Sequence, residues 1–202
     1  MERLASGSVE YHKPSSWSPD GELLAFVVDT AETGHDIWIV PRSGEAKAFL
    51  RTRFSERYPE FSPDGRWLVY ASNESGRDEV YVRPYPGPGR ALQISTAGGG
   101  YPGWSRDGSE IFYRWQADFF AVRITIDGEN LHPGTPVRLF DWRYERARPV
   151  RSWDVAPDGR FLVTGKTTDA DLDLTRDRFA PDRIHVVLNW FEELKRKTEA
   201  AQ

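Results

Sequence analysis

The 202-residue sequence contains no cysteine, which excludes disulfides and thiolate-held zinc or iron–sulfur centres. It has no apolar run near the roughly 20 residues that a membrane helix needs. The opening Met1-Glu2-Arg3-Leu4-Ala5-Ser6-Gly7 lacks the apolar stretch of a signal peptide, so the chain as written is expected not to be exported by itself; its compartment is left unassigned. Neither sign of charge dominates. With 27 Lys and Arg against 31 Asp and Glu, the net charge is −4, and so small an acidic excess gives no general pull toward nucleic acid or anionic lipid. The four histidines, His12, His35, His132 and His185, are scattered with no pair at metal-ligand spacing.

Aromatics, glycine and proline are abundant: 8 Trp, 8 Tyr, 11 Phe, 17 Gly and 14 Pro. That mixture suggests many short strands joined by tight turns. One segment recurs four times. It reads Trp17-Ser-Pro-Asp20-Gly21 before Glu-Leu-Leu-Ala-Phe26, and Phe61-Ser-Pro-Asp64-Gly65 before Arg-Trp-Leu-Val-Tyr70. The third copy is Trp104-Ser-Arg-Asp107-Gly108 and the fourth Val155-Ala-Pro-Asp158-Gly159. The aspartates stand 44, 43 and 51 residues apart, the spacing of propeller blades.

Each copy reads as four short strands. The first ends at the aromatic residue before the turn. In the turn, Asp accepts a local hydrogen bond and Gly takes a positive φ. The second is apolar, as in Leu23–Val28 and Trp67–Ala71. The third is Asp36–Val40, Glu79–Arg83, Phe119–Arg123 or Ile184–Leu188, and the fourth Ala48–Leu50, Leu92–Ile94 or Val137–Phe140. The predicted architecture is all-β: a partial β-propeller of about four four-stranded antiparallel blades with a short C-terminal α-helix.

Residues 1–14 are expected to be the outer strand and connector of a preceding blade. The four repeats occupy about 15–54, 55–98, 99–142 and 150–190, with a helix over 191–202. Trp17, Phe26, Trp38, Phe61, Tyr70, Tyr81, Trp104 and Tyr113 hold equivalent positions and are expected to pack between blades, with sugar stacking the alternative.

The segment from Phe61-Ser-Pro-Asp-Gly-Arg-Trp-Leu-Val-Tyr to Gly89, and the motif Asp36-Ile-Trp-Ile, resemble the TolB-like (WD-repeat-like) propeller repeat. The likeness is closest to the propeller at the C-terminal end of bacterial receptor-type serine/threonine kinases, whose C-terminus is similar to Ile184–Lys195. The resemblance implies a binding or sensing module, extracytoplasmic where it follows a kinase and a membrane helix.

Chemistry-bearing motifs are scarce. There is no kinase Gly-rich loop, His-Arg-Asp loop or Asp-Phe-Gly, and no Gly-x-Ser-x-Gly. Asp169, Asp171 and Asp173 alternate like ligands for a hard cation, but Leu174 stands where a calcium loop needs Gly, and Arg176, Arg178 and Arg183 can pair with the acids. A solvated loop is the preferred reading. The recurring Asp20, Asp64, Asp107 and Asp158 are read as turn formers.

A site, if present, belongs on the connectors entering the inner strands, where Lys13, Ser15, Arg57, Tyr58, Glu60, Tyr101, Arg151 and Ser152 differ between repeats. Arg57, Tyr58, Glu60, Tyr101 and Arg151 are the candidate ligand-binding residues. The expected role is a non-enzymatic module for a protein or peptide partner, with no cofactor, no nucleic acid and no catalytic residue. Self-association to complete the ring is a further expectation. The alternatives are a fragment of a serine/threonine kinase whose catalytic domain is absent, and a propeller-scaffold hydrolase or lyase with a metal at the channel.

Overall fold

The computed structural model describes residues 12–141, 151, 153–156, 160–165 and 183–187. The expected remnant strand before His12, the Asp158-Gly159 turn, the acidic run Asp169–Asp173 and the helix over 191–202 lie outside the described residues. Among the described residues there is no helix, hence none able to cross a membrane.

Four antiparallel sheets follow one another along the chain. The first holds β1 (His12–Trp17), β2 (Leu23–Thr30), β3 (Gly34–Pro41) and β4 (Lys47–Leu50) in chain order. The second repeats the order with β5 (Glu56–Phe61), β6 (Trp67–Ser72), β7 (Glu79–Pro84) and β8 (Leu92–Gln93). The third holds β9 (Gly100–Trp104), β10 (Glu110–Trp115), β11 (Asp118–Asp127), β12 (Asn130–Pro133) and β13 (Val137–Asp141). The fourth shows β14 (Trp153–Val155), β15 (Phe161–Gly165) and β16 (Arg183–Val187).

The turn between first and second strands is built alike in three sheets. Ser62 Oγ donates to Asp64 Oδ1 at 2.6 Å and accepts from Trp67 N at 3.0 Å, while Arg66 N donates to Asp64 Oδ1 at 3.1 Å. Ser18–Asp20 and Ser105–Asp107 repeat this arrangement. Gly21, Gly65 and Gly108 sit at φ +73°, +71° and +73°, where a side chain is strained. The serine is therefore as much a part of the turn as the Asp-Gly pair.

Alternation along each strand sends side chains to two faces, and the cores lie between sheets. Ala25 and Ile37 of the first sheet meet Phe61, Leu68 and Tyr70 of the second. Trp67, Val69 and Val80 of the second meet Trp104, Ile111 and Tyr113 of the third. Phe112, Phe119 and Leu139 of the third meet Trp153, Val155 and Phe161 of the fourth.

Three features depart from the repeat pattern. The third sheet has five strands, because β11 runs past its sheet and folds back at Asp127-Gly128 as a hairpin. Its β12 contributes Leu131 to the core shared with the second sheet. In the fourth sheet, Val155 pairs with Phe161, six residues on, whereas Trp17–Leu24, Phe61–Leu68 and Trp104–Ile111 are seven apart. A one-residue slip exchanges the faces, so Phe161 is buried and Leu162 is 39% exposed. Trp17, expected in the core, is 49% exposed, while its equivalents Phe61 and Trp104 are 5% and 6%. Those two pack on the preceding sheet, and no described sheet precedes β1. Trp38 is half-buried for the same reason.

Candidate functional site

The first strands β1, β5 and β9 run side by side, and a cavity of about 630 Å³ opens along them. Lys13, His35, Arg57, Tyr58, Glu60 and Arg151 are the polar side chains with most to offer on its wall. Prolines 14, 59 and 102 supply much of the remaining surface.

A bulge in each inner strand presents these residues. The register shifts between Pro14 and Ser16 in β1 and between Arg57 and Glu60 in β5. Opposite β9 it shifts between Phe112 and Arg114 of β10. Bulges re-aim side chains. At the bulge positions Tyr58 and Tyr101 take φ +57° and +54°, a region costly for residues other than glycine and concentrated at functional sites. Their rings lie 4.4 Å apart, tilted by 30°. Burial, then the neighbouring Tyr101, pushes the Tyr58 phenol well above its ordinary range, so it stays a neutral donor.

The charged groups are held by specific partners. Arg57 Nη2 donates to Asp78 Oδ1 at 2.5 Å. Lys13 Nζ donates to Asp29 Oδ2 at 2.8 Å. His35 bridges Asp29 Oδ1, 3.1 Å from its Nε2, and Ser55 Oγ, 2.9 Å from its Nδ1. Burial holds the His35 imidazole below its ordinary value, so it is neutral at pH 7. Asp29, His35 and Ser55 have the residue types of a hydrolytic triad, but Ser55 is not on the cavity wall, and its own N–H is spent on Asn73 Oδ1 at 2.9 Å.

Glu60 joins three sheets. Its Oε1 accepts from Trp104 N at 3.0 Å, and its Oε2 pairs with Arg151 Nη1. Ser16, at the equivalent position, accepts from Phe61 N at 3.2 Å. The third sheet has Gly103 there. A Cβ on Gly103 would stand 2.5 Å from Arg151 Nη1 and 2.6 Å from the Trp153 ring. The glycine thus opens the wall so that Arg151 reaches across β9 to Glu60, its guanidinium 4.7 Å over Trp153. Glu60 also borders a second opening of about 380 Å³ on the turn side, which Trp17, Trp104 and Arg106 line.

The structure therefore places Arg57, Tyr58, Glu60 and Arg151 on one wall, with the Tyr101 ring close against Tyr58. Ser152 lies outside the described residues. Sequence reasoning missed His35, Asp29 and Asp78, which are ordinary strand residues until folding sets them behind the wall. It also missed Gly103, whose signal was a glycine where the preceding repeat has Glu60. No group of three or more metal-ligating side chains occurs among the described residues.

No protein-family model matches the chain. A tricorn protease homolog of Streptomyces coelicolor is 31% identical over 187 residues, covering 85% of this chain and 13% of that protein. TolB of Acinetobacter baumannii shares the fold at a TM-score of 0.58 and 18% identity, over 83% of this chain and 40% of TolB. A puromycin-hydrolyzing peptidase of Mycobacterium tuberculosis has a TM-score of 0.55 at 18% identity, over 78% of this chain and 28% of the peptidase. An oligogalacturonate lyase in complex with manganese has a TM-score of 0.53 at 12% identity, over 88% of this chain and 50% of the lyase. The chain spans 13% of the curated relative and half or less of these three structures.

The chain has a TolB-like β-propeller fold. The kinase link implied by the sequence resemblance is not shown by these likenesses. The expectation of a non-enzymatic chain is corrected: the chain is similar in sequence to a protease homolog and in fold to a peptidase and a lyase, which point to possible enzymes. The repeat motifs specify a scaffold, and a scaffold does not by itself fix function.

Proposed function

We propose that this propeller segment grips an extended peptide, the segment of a protein partner or substrate, along its inner-strand wall. The observation that carries the reading is the close, tilted pair Tyr58–Tyr101, held in a costly backbone conformation beside a cavity of about 630 Å³. Rigid aromatic surface beside a few fixed polar groups suits peptide recognition, because aromatic rings supply contact area at little entropic cost. The likenesses to two enzymes named as a protease homolog and a peptidase support the same ligand class. Within a longer enzyme, the wall would hold the peptide that another part of the protein processes.

The test is selection of a displayed random-peptide library on the full chain, followed by calorimetric titration of the enriched peptides. Tyr58→Leu and Tyr101→Leu are expected to weaken binding about tenfold each, the worth of one good aromatic contact at roughly 1.4 kcal/mol. Affinity unchanged in both variants, with their folds intact by urea unfolding, would move the ligand away from this wall.

A further inference from the structure

The cavity wall is electrically unlike the rest of the chain. The sequence carries a net charge of −4, yet the wall holds three permanent cations, Lys13, Arg57 and Arg151, and among its residues Glu60 is the one carboxylate. Asp29 and Asp78, which anchor Lys13 and Arg57, are not part of the wall. All three cations are ion-paired, but the partners of Lys13 and Arg57 do not line the cavity, so these are the two charges offered to a ligand.

Both have donors to spare. Lys13 is more than half exposed; its Nζ donates to Asp29 and stands 3.4 Å from His35 Nε2. An ammonium carries three donors and a guanidinium five. Arg57 reaches Asp78 through Nη2, which leaves further donors of its guanidinium fork. The two cations line the same cavity beside His35.

We infer that the cavity selects peptides with an acidic side chain, whose carboxylate is received by Lys13 and Arg57 while the neighbouring residue packs on Tyr58. This rests on the peptide-binding reading above and narrows it to one chemistry. The strong form of such recognition is a charge-assisted hydrogen bond, shorter and stronger than a neutral one.

Two displayed libraries distinguish the inference from its premise. One contains Asp and Glu, and the other has Asn and Gln in their place. The best acidic peptide and its Glu→Gln twin are then titrated against the full chain at about 50 and 500 mM salt, with oligogalacturonate as a non-peptide carboxylate. The acidic peptide is expected to bind at least about tenfold tighter than its twin at low salt. That margin should shrink severalfold at high salt, as screening shortens the reach of the charges.

Lys13→Gln and Arg57→Gln are each expected to cost the acidic peptide about fivefold and the neutral twin little, with Arg57→Lys recovering part of the loss. Lys13 is exposed, so its variant reports even where Arg57→Gln loosens the fold. Equal binding of the twins overturns the carboxylate inference and leaves the peptide reading standing. Oligogalacturonate displacing the peptide and binding tighter than any peptide assigns the carboxylate to a sugar and overturns both. Enrichment from neither library overturns both as well.

Discussion

The first and second sheets have the same strand order and the same serine–aspartate–glycine turn, yet they differ in how their faces end. The second is walled by neighbours on both sides, and β6 is buried along its whole length. Among the described residues the first is walled on one side. On its other face Phe26, Val28 and Val40 cluster with half-buried Leu24 and Trp38, and Trp17 stands 49% exposed. The repeat motif decides which way a residue faces. Whether that residue is buried depends on the presence of a neighbouring sheet.

The largest expected break in this comparison comes from one leucine position. Leu68→Ala, at 0% exposure between two sheets, should cost about 2–5 kcal/mol in urea unfolding. Leu24→Ala, its half-buried equivalent in the first sheet, should cost less than about half as much. Equal losses would mean that the first sheet's outer face is covered after all.

The next effect sharpens the contrast between sheets two and three at the position of Glu60. Gly103→Ala places a methyl against Arg151 and Trp153 and should cost about 1–3 kcal/mol by overpacking. Gly100→Ala on the same strand meets nothing closer than 4.0 Å and should stay within about 1 kcal/mol of wild type. Similar losses for both would deny that Gly103 makes room for the arginine.

A smaller effect compares the turns. The Ser105 hydroxyl, outweighing burial, holds the Asp107 carboxyl below its ordinary range, with the Ser109 N–H and hydroxyl helping. A carboxylate with a depressed folded pKa stabilises above its unfolded pKa of about 3.9, and that contribution is lost as pH falls through the folded value. Asp107→Ala should therefore cost about 1 kcal/mol at pH 7, and the gap should close below about pH 4. A gap independent of pH between 7 and 2 would assign the aspartate no ionic role in the turn.

The smallest expected effect is at Trp17. Trp17→Ala should cost less than about 1 kcal/mol in urea unfolding, against about 3–5 kcal/mol for Phe61→Ala. Unfolding at two protein concentrations extends the measurement. A wild-type midpoint that rises with concentration, and a Trp17→Ala midpoint that does not, would show a second copy covering this face.

Much of the fold was legible because its signals are local. Ser62, Asp64 and Gly65 sit within four residues of each other, and their hydrogen bonds close a turn that any copy of the sequence would close. Arg57, Tyr58 and Glu60 were legible as a group because one strand carries them. Arg151 was proposed on its place in the repeat, but its reach to Glu60 depends on a gap left by Gly103, and the three residues lie on the second sheet, the third sheet and the segment entering the fourth. The slip in the fourth sheet was hidden by its sequence likeness to the other copies, since Phe161 and Leu162 serve equally well as the inward residue until pairing chooses. The β12 hairpin was announced by Asp127-Gly128 and passed over because the repeat had no place for it.

Local chemistry along the chain determined the number of sheets, their strand order and the turns that join strand to strand, because those rest on hydrogen bonds and alternation within a few residues. The tertiary structure alone decided which aromatic residues are buried, which charged residues share the cavity wall and where the two tyrosines meet. Each of those depends on what another sheet, tens of residues away, brings within a few ångströms.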